Sequence, residues 1–480
     1  MNLRRVLHIL GLLLLVLAAA ELAPLALCLE GDSPRAAAGF LGASGTSAGL
    51  GLLFRFLGHN EGDLYRRDGV IIVVGAWILA SATGAIPYWV ADVLPSPADA
   101  LFEAASGFTT TGATVLRDIE AAGHPILFWR SLTQWLGGIG IVVLFVALLS
   151  ELGPGARFLF QLEVPGPKAE VLHDRVQDTA LTLGRVYLVL SIAEIIVLML
   201  LGLGPFDALT HTFSTVSTGG FSPHPESVAR FSHPVRLAIT FFMAASGINF
   251  AHYYLFALKR DLSVFRDAEL RVYCWIIAGT TLLTALVLSG ESALPSLVAL
   301  EDALFQVVSI LTTTGFATVD FNEWPDTART LLVSIMFLGG CAGSTAGGVK
   351  ISRAVIAWRA AMREVRLTYG PNSVISVALG GTSVPEQSVR SVVALFFLWI
   401  GAWGAGSLLL TVGGIDIVTA STASIATLSN VGPGLGQVGP TGDFAFFSAW
   451  QKLVMVFLMW LGRLEFFALL AVFHPRFWLR

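Results

Sequence analysis

The feature that most constrains this chain is that it repeats itself. Two stretches 203 residues apart, DALFEAASGFTTTG (residues 99–112) and DALFQVVSILTTTG (residues 302–315), share DALF, a serine seven residues after the aspartate, and a closing TTTG. FDALTHTFSTVSTGG (residues 206–220) reads as a third copy one residue shorter, and TASTASIATLSNVGPG (residues 419–434) as a fourth, more degenerate one. Centred on Gly112, Gly219, Gly315 and Gly432, the copies are spaced by 107, 96 and 117 residues. Such a period describes one structural unit used four times.

The medium in which these units fold follows from composition. Of 480 residues 55% are hydrophobic and 13% charged, where a soluble domain carries roughly a quarter charged. Mean hydropathy is +0.74. Ten apolar segments are long enough to enter a bilayer, near 5–29, 37–57, 69–90, 125–150, 180–203, 235–258, 271–289, 327–341, 390–412 and 446–473. The first reads either as a signal peptide or as a membrane helix, and its apolar character through Leu29 favours the helix. Segment 37–57 is rich in glycine and serine, which predicts close packing on a neighbouring helix. If the N-terminus is cytoplasmic, 21 lysines and arginines fall on the inner side and six (Arg35, Arg117, Arg130, Arg230, Arg236, Arg329) on the outer. That bias predicts two cytoplasmic termini. The formal net charge of −4 gives no basic excess for a nucleic-acid partner. Cys28, Cys274 and Cys341 form no CxxC pair and no metal-ligand cluster.

Each repeat lies on the outer side between two spans and is too short to cross. Ser96–Pro97, Gly204–Pro205, Pro295–Ser296 and, less clearly, Gly414 and Asp416 supply helix-start residues. A half-span helix entering from outside points its partially negative C-terminus at the membrane interior, where it favours a cation. Backbone at that depth is tolerated where it is buried or lines water. Small hydroxyl residues followed by glycine let consecutive carbonyls face one axis, and carbonyl rings replace the hydration shell of potassium. One such loop alone reads equally well as a helix C-cap; four copies argue for a filter.

TTTGAT (residues 109–114), STGGFS (217–222), TTTGFAT (312–318) and SNVGPGLG (429–436) resemble the Trk/Ktr/HKT superfamily of potassium transporters, specifically its bacterial TrkH type. The resemblance covers nearly the whole chain. It implies an all-α integral membrane protein, with four pseudo-symmetric span, pore-helix, filter-loop, span units around one pore after two extra transmembrane helices. The corresponding divisions are 1–68, 69–168, 169–260, 261–367 and 368–480. Potassium would bind at Thr110, Thr111, Gly112, Ser217, Thr218, Gly219, Thr313, Thr314, Gly315, Asn430, Val431 and Gly432. In plant relatives a serine for the first glycine goes with sodium preference, so Gly112 leans toward potassium.

The resemblance also assigns a gate. GGCAGSTAGGVK (residues 339–350) interrupts a span; the family uses it as an intramembrane gating loop, here Gly339, Gly340, Gly343, Ser344, Thr345, Gly347, Gly348 and Lys350. A tight small-residue helix contact is the alternative. Arg463, inside the last span, would project into the pore as a barrier, or else snorkel or pair with an acid. The family further implies a homodimer in the bacterial inner membrane and a cytosolic TrkA-like nucleotide-binding partner. No cofactor is expected in this chain beyond potassium as cargo.

No enzyme is expected. There is no Walker loop, no DKTG-like stretch and no Ser-His-Asp cluster within the spans. Two other readings stay open: a symporter coupled to protons through Glu194 or to sodium, and an intramembrane enzyme using Glu103, Asp207 or His211. Asn249 and Lys452 read as packing or interface residues.

Overall fold

A computed structural model describes residues 1–30, 33–59, 64–140, 176–290 and 295–479. The end of the 125–150 segment, the 168/169 division and Arg157, Lys168 and Arg175 lie outside the described residues.

The chain opens with an antiparallel pair, α1 (Leu3–Ala20) and α2 (Pro34–Leu57). The glycine-rich α2 packs as its composition predicts: a Cβ on Gly51 would stand 2.8 Å from the Gly11 carbonyl, so the backbones touch. Ser44 Oγ donates to the Ala18 carbonyl at 2.9 Å, which satisfies a hydroxyl shielded from water.

Four units follow. The first holds α3 (Arg66–Gly84), α4 (Pro97–Phe108) and α5 (Gly123–Gly138); the second α6 (Val176–Leu200), α7 (Pro205–Val216), α8 (His233–Ser246) and α9 (Phe250–Lys259). The third holds α10 (Ala268–Leu288), α11 (Leu297–Leu311), α12 (Asp326–Met336) and α13 (Ile351–Tyr369); the fourth α14 (Glu386–Thr411), α15 (Ile417–Leu428), α16 (Ala449–Arg463) and α17 (Phe467–Phe473). A two-residue-per-strand hairpin pairs Ala378–Leu379 with Thr382–Ser383. The short helices α4, α7, α11 and α15 start at the expected cap residues; Ser296 and Asp416 accept from the Ala299 and Thr419 amides. These four helices form the buried centre, while α6 and α14 turn Val189, Ile196, Leu200, Phe397 and Leu408 outward, as a lipid-facing surface requires.

Of the ten apolar segments, six among the described residues are single helices long and apolar enough to cross a membrane, and α8 and α9 reach that length and hydropathy only together, bent by 94°. In the second, third and fourth units the second span breaks: over 247–249, over 337–350, and at 464–466, where Glu465 and Phe466 have φ of +53° and +66°; in the first unit α5 ends at Gly138 and Gly140, the last residue described there, is left-handed. Glycine stands at each break because the span crosses another element at van der Waals contact. A Cβ on Gly137 or Gly462 would overlap the Phe108 or Leu428 carbonyl, and one on Gly247 would meet Thr312 at 2.9 Å.

The N-terminus, the start of α3 and the C-terminal residues share one face. Asn2 N–H donates to Asp68 Oδ1 at 2.9 Å, and Arg67 Nη1 donates to the Phe477 and Leu479 carbonyls at 3.2 and 2.9 Å.

Candidate ion pathway

The four short helices end alike. Each is closed by a hydroxyl residue, Thr109, Ser217, Thr312 or Ser429. The next residue is left-handed, with φ of +55° at Thr110, +55° at Thr218, +59° at Thr313 and +56° at Asn430. The following amide folds back to a carbonyl five residues earlier, Thr111 to Ser106, Gly219 to Ser214, Thr314 to Ser309 and Val431 to Ala426, each at 2.8 Å. A second left-handed residue completes each loop: Gly112, Gly220, Gly315 and Gly432.

This corrects the register of the second loop. Gly220, and not Gly219, is equivalent to Gly112, and DALTHTFSTVSTGG (residues 207–220) is as long as the first copy. Gly219 stands where the other loops have Thr111, Thr314 and Val431.

The four loops close a cycle. A Cβ on Gly112 would overlap the Gly219 carbonyl, one on Gly220 the Thr314 carbonyl, one on Gly315 the Val431 carbonyl, and one on Gly432 would come within 2.7 Å of the Thr111 carbonyl. Each loop leans on the next and the fourth returns to the first. A left-handed φ and a neighbouring carbonyl together exclude any side chain here. Four helix C-termini converge on the ring, adding partial negative charge to its carbonyls.

Side chains behind the ring hold it. Ser106 and Ser309 hydroxyls donate to the Ala113 and Phe316 carbonyls at 2.6 Å. The position four residues after the repeat aspartate reaches its own outgoing strand in three units: Glu103 accepts from Thr114 Oγ1 and Val115 N–H, His211 bonds Ser222, and Gln306 donates to Thr318. Glu103 is paired with Arg130 at 2.8 Å, both side chains at most 2% exposed. Arg130, counted on the outer side from its sequence position, is buried; its guanidinium also donates to the Ser222 carbonyl at 3.1 Å and lies over the Phe221 ring. Buried charge needs such partners. Lys452 likewise pairs with Asp99 at 2.6 Å.

A cavity of about 120 Å³ opens on one side of the ring, walled by Gly112, Gly220, Gly315 and Gly432 together with Ser222, His224 and Asp443. At its rim His224 Nε2–H donates to Asp207 at 2.9 Å, which holds the Asp207 carboxyl below its usual range.

Beneath the ring lie residues 337–350. Gly347 N–H donates to Thr313 Oγ1 at 2.6 Å, and Thr345 Oγ1 donates to the Val216 carbonyl at 3.0 Å. Arg463 crosses the same space: Nη1 donates to Thr110 Oγ1 at 3.2 Å and the Thr345 carbonyl at 3.0 Å, and Nη2 to the Gly137 carbonyl at 2.7 Å. A cavity of about 70 Å³ is lined by Gly343, Ser344, Thr345, Gly347, Gly348, Lys350 and Arg463. Gly339 and Gly340 are not in its wall; left-handed Gly339 packs on Gly347 and Gly348 at the base of the loop. Lys350 Nζ donates to the Ala346 carbonyl. Glu465 pairs with Arg353.

Of the residues suspected of enzyme chemistry, Glu103 and His211 brace separate loops and Asp207 stays at the rim. Glu194 is fully buried, with the Thr215 hydroxyl beside its carboxyl. Asn249 caps α9. Gln134 escaped sequence reading: its Nε2 donates to the Gly219 carbonyl at 2.7 Å and its Oε1 accepts from Phe221 N–H at 3.0 Å. The signal was a lone amide in an apolar span, one helical turn after Arg130.

Known proteins match this architecture from end to end. A family model, TrkH, described as a cation transport protein, matches residues 46–479. The Trk system potassium uptake protein TrkH of Halomonas elongata is 37% identical over 484 residues and covers 100% of both chains. The protein of the same name from Salmonella typhimurium is 38% identical over 428 residues, 88% of each chain. The crystal structure of the potassium transporter TrkH from Vibrio parahaemolyticus matches with a TM-score of 0.87 and 35% identity, covering 100% of both chains. With its multiple apolar helices and its full-length likeness to these proteins, the chain is a multi-pass membrane protein that belongs to the TrkH family.

Proposed function

We propose that this chain translocates potassium across the cell membrane through the ring of four loops. The observation that carries the proposal is the closed cycle of left-handed glycines on neighbouring carbonyls. It is the backbone arrangement a dehydrating carbonyl filter needs, and relatives that match over the full length are named potassium uptake proteins. Thr110, Thr111, Gly112, Ser217, Thr218, Gly219, Thr313, Thr314, Gly315, Asn430, Val431 and Gly432 form the filter, with Gly220 added by its register. Potassium sheds water there and moves down its electrochemical gradient once residues 339–350 and Arg463 clear the path. Their contacts with Thr110, Thr313 and Gly137 support a closed gate.

The units divide at 69–168, 169–260, 261–367 and 368–480. Both termini lie on the cytoplasmic side of a bacterial inner membrane, which their common face and the lysine and arginine bias support. The chain pairs as a homodimer, and the basic helix α13, with Arg359, Arg363 and Arg366, receives a cytosolic TrkA-like nucleotide-binding subunit. No cofactor is assigned to the chain itself.

Purified chain in liposomes, assayed for potassium against sodium flux, tests the central claim. Potassium flux exceeding sodium flux is expected; equal flux of both, or none across preparations that remain folded, overturns it. The full burial of a carboxyl at Glu194 favours one second reading, coupling to protons. Under an imposed pH gradient Glu194→Gln then changes uptake, and unchanged pH dependence removes that reading.

A further inference from the structure

The second loop has two adjacent glycines for two different reasons. Gly220 is left-handed and sits on the Thr314 carbonyl, as its three counterparts sit on theirs. Gly219 is not left-handed, so its backbone would accept a side chain. What excludes one is Gln134 on α5 of the preceding unit: a Cβ on Gly219 would stand 2.6 Å from Oε1 and 2.8 Å from Nε2 of that amide. Gln134 is fully buried, and its two bonds, to the Gly219 carbonyl and the Phe221 amide, straddle Gly220. Loops one and three fasten the equivalent residue differently, through the Thr109–Thr111 and Thr312–Thr314 hydroxyl pairs at 2.7 and 2.8 Å. In loop two the Ser217 hydroxyl turns to the Ser214 carbonyl, leaving that fastening unmade.

We propose that Gln134 is the positioning residue of the second filter strand, replacing the missing side chain of Gly219 and setting discrimination between potassium and smaller cations. A carbonyl oxygen has two lone pairs, so one anchored by Nε2–H leaves the other for an ion. Anchored from behind, the carbonyl resists the inward movement that sodium requires. The inference rests on the proposed filter.

The test is a set of variants measured for sodium-to-potassium permeability ratio in liposomes, with thermal melting and elution profile recorded for each. Q134M keeps the volume and drops both bonds, and the ratio should rise roughly three- to tenfold, about the worth of one buried hydrogen bond. Gly219→Thr alone should lose discrimination through its collision with the amide. Combining it with Q134A, which empties that space and permits the fastening used in loops one and three, should return the ratio to within about twofold of the native value. A native ratio in well-folded Q134M overturns the proposal, as does a double variant no better than Gly219→Thr. Where Q134M does not fold, Q134E, which keeps the shape and the acceptor but loses the donor, carries the same expectation, and a native ratio in it overturns the proposal equally. Gly112→Ser in the same assay separates the layers. An unaltered ratio there overturns the filter and this inference together; an altered one beside a native Q134M ratio overturns this inference alone.

Discussion

At the scale of single residues, the ring glycines answer two demands at once, a left-handed φ and a carbonyl where a Cβ would be. Gly220→Ala meets both, and should lower the melting stability by more than the ~1 kcal/mol that left-handed alanine alone costs, with loss of potassium flux. A variant with native melting would show that the loop relaxes freely. Gly112→Ser should raise the sodium-to-potassium permeability ratio, and an unaltered ratio in a conducting protein would count against the filter. Asp207 gives a pH dependence. Its carboxyl is held low chiefly by the His224 hydrogen bond, so the stabilisation is complete above the unfolded value of about 3.9 and is lost as pH falls through the lower folded value. Asp207→Asn should therefore melt below the native protein at pH 7, the gap narrowing as pH is taken toward about 3; a gap that stays constant would mean that the charge is not what matters.

At the scale of elements, the interrupted second spans supply the contacts beneath the ring. Residues 337–350 hang between α12 and α13, pinned to Thr313 and Val216, while Arg463 at the end of α16 reaches across to Gly137. Arg353–Glu465 ties α13 to the break after α16. Arg463→Ala should raise flux by unpinning Thr345, and Glu465→Gln should do so more weakly; reduced flux in folded Arg463→Ala would assign the arginine a structural role. The third break was legible in advance because GGCAGSTAGGVK is too rich in glycine for a helix. The breaks in the second and fourth units were not, because SGIN and GRLEF each place only three small or polar residues inside strongly apolar runs. What breaks those helices is the tip of a short helix lying against them, a tertiary contact. The slip of register between Gly219 and Gly220 has a similar origin: adjacent glycines look alike until φ and Gln134 tell them apart.

At the scale of the whole molecule, unit number and mostly helical architecture were legible from DALF, TTTG and apolar periodicity, since each repeats in the chain. The order of contact around the ring was not, because it joins residues such as Asn430 and Thr111, bonded at 2.9 Å across 319 positions. Sidedness carries its own prediction. Cys274 is exposed whereas Cys28 and Cys341 are buried, so in a Cys274→Ser background an impermeant thiol reagent should label Asp443→Cys in intact cells and Arg363→Cys only after permeabilisation. The opposite pattern would invert the topology.

The closing contact of the ring also governs how the protein is made. Because Gly432 must return to the Thr111 carbonyl, and Arg463 to Gly137 and Thr110, no complete ring exists until the last unit has left the ribosome and inserted. Chains emerge N-terminus first. A stalled or truncated product therefore carries at most three quarters of an annulus, and whatever the closed ring does is withheld until the last unit is in place.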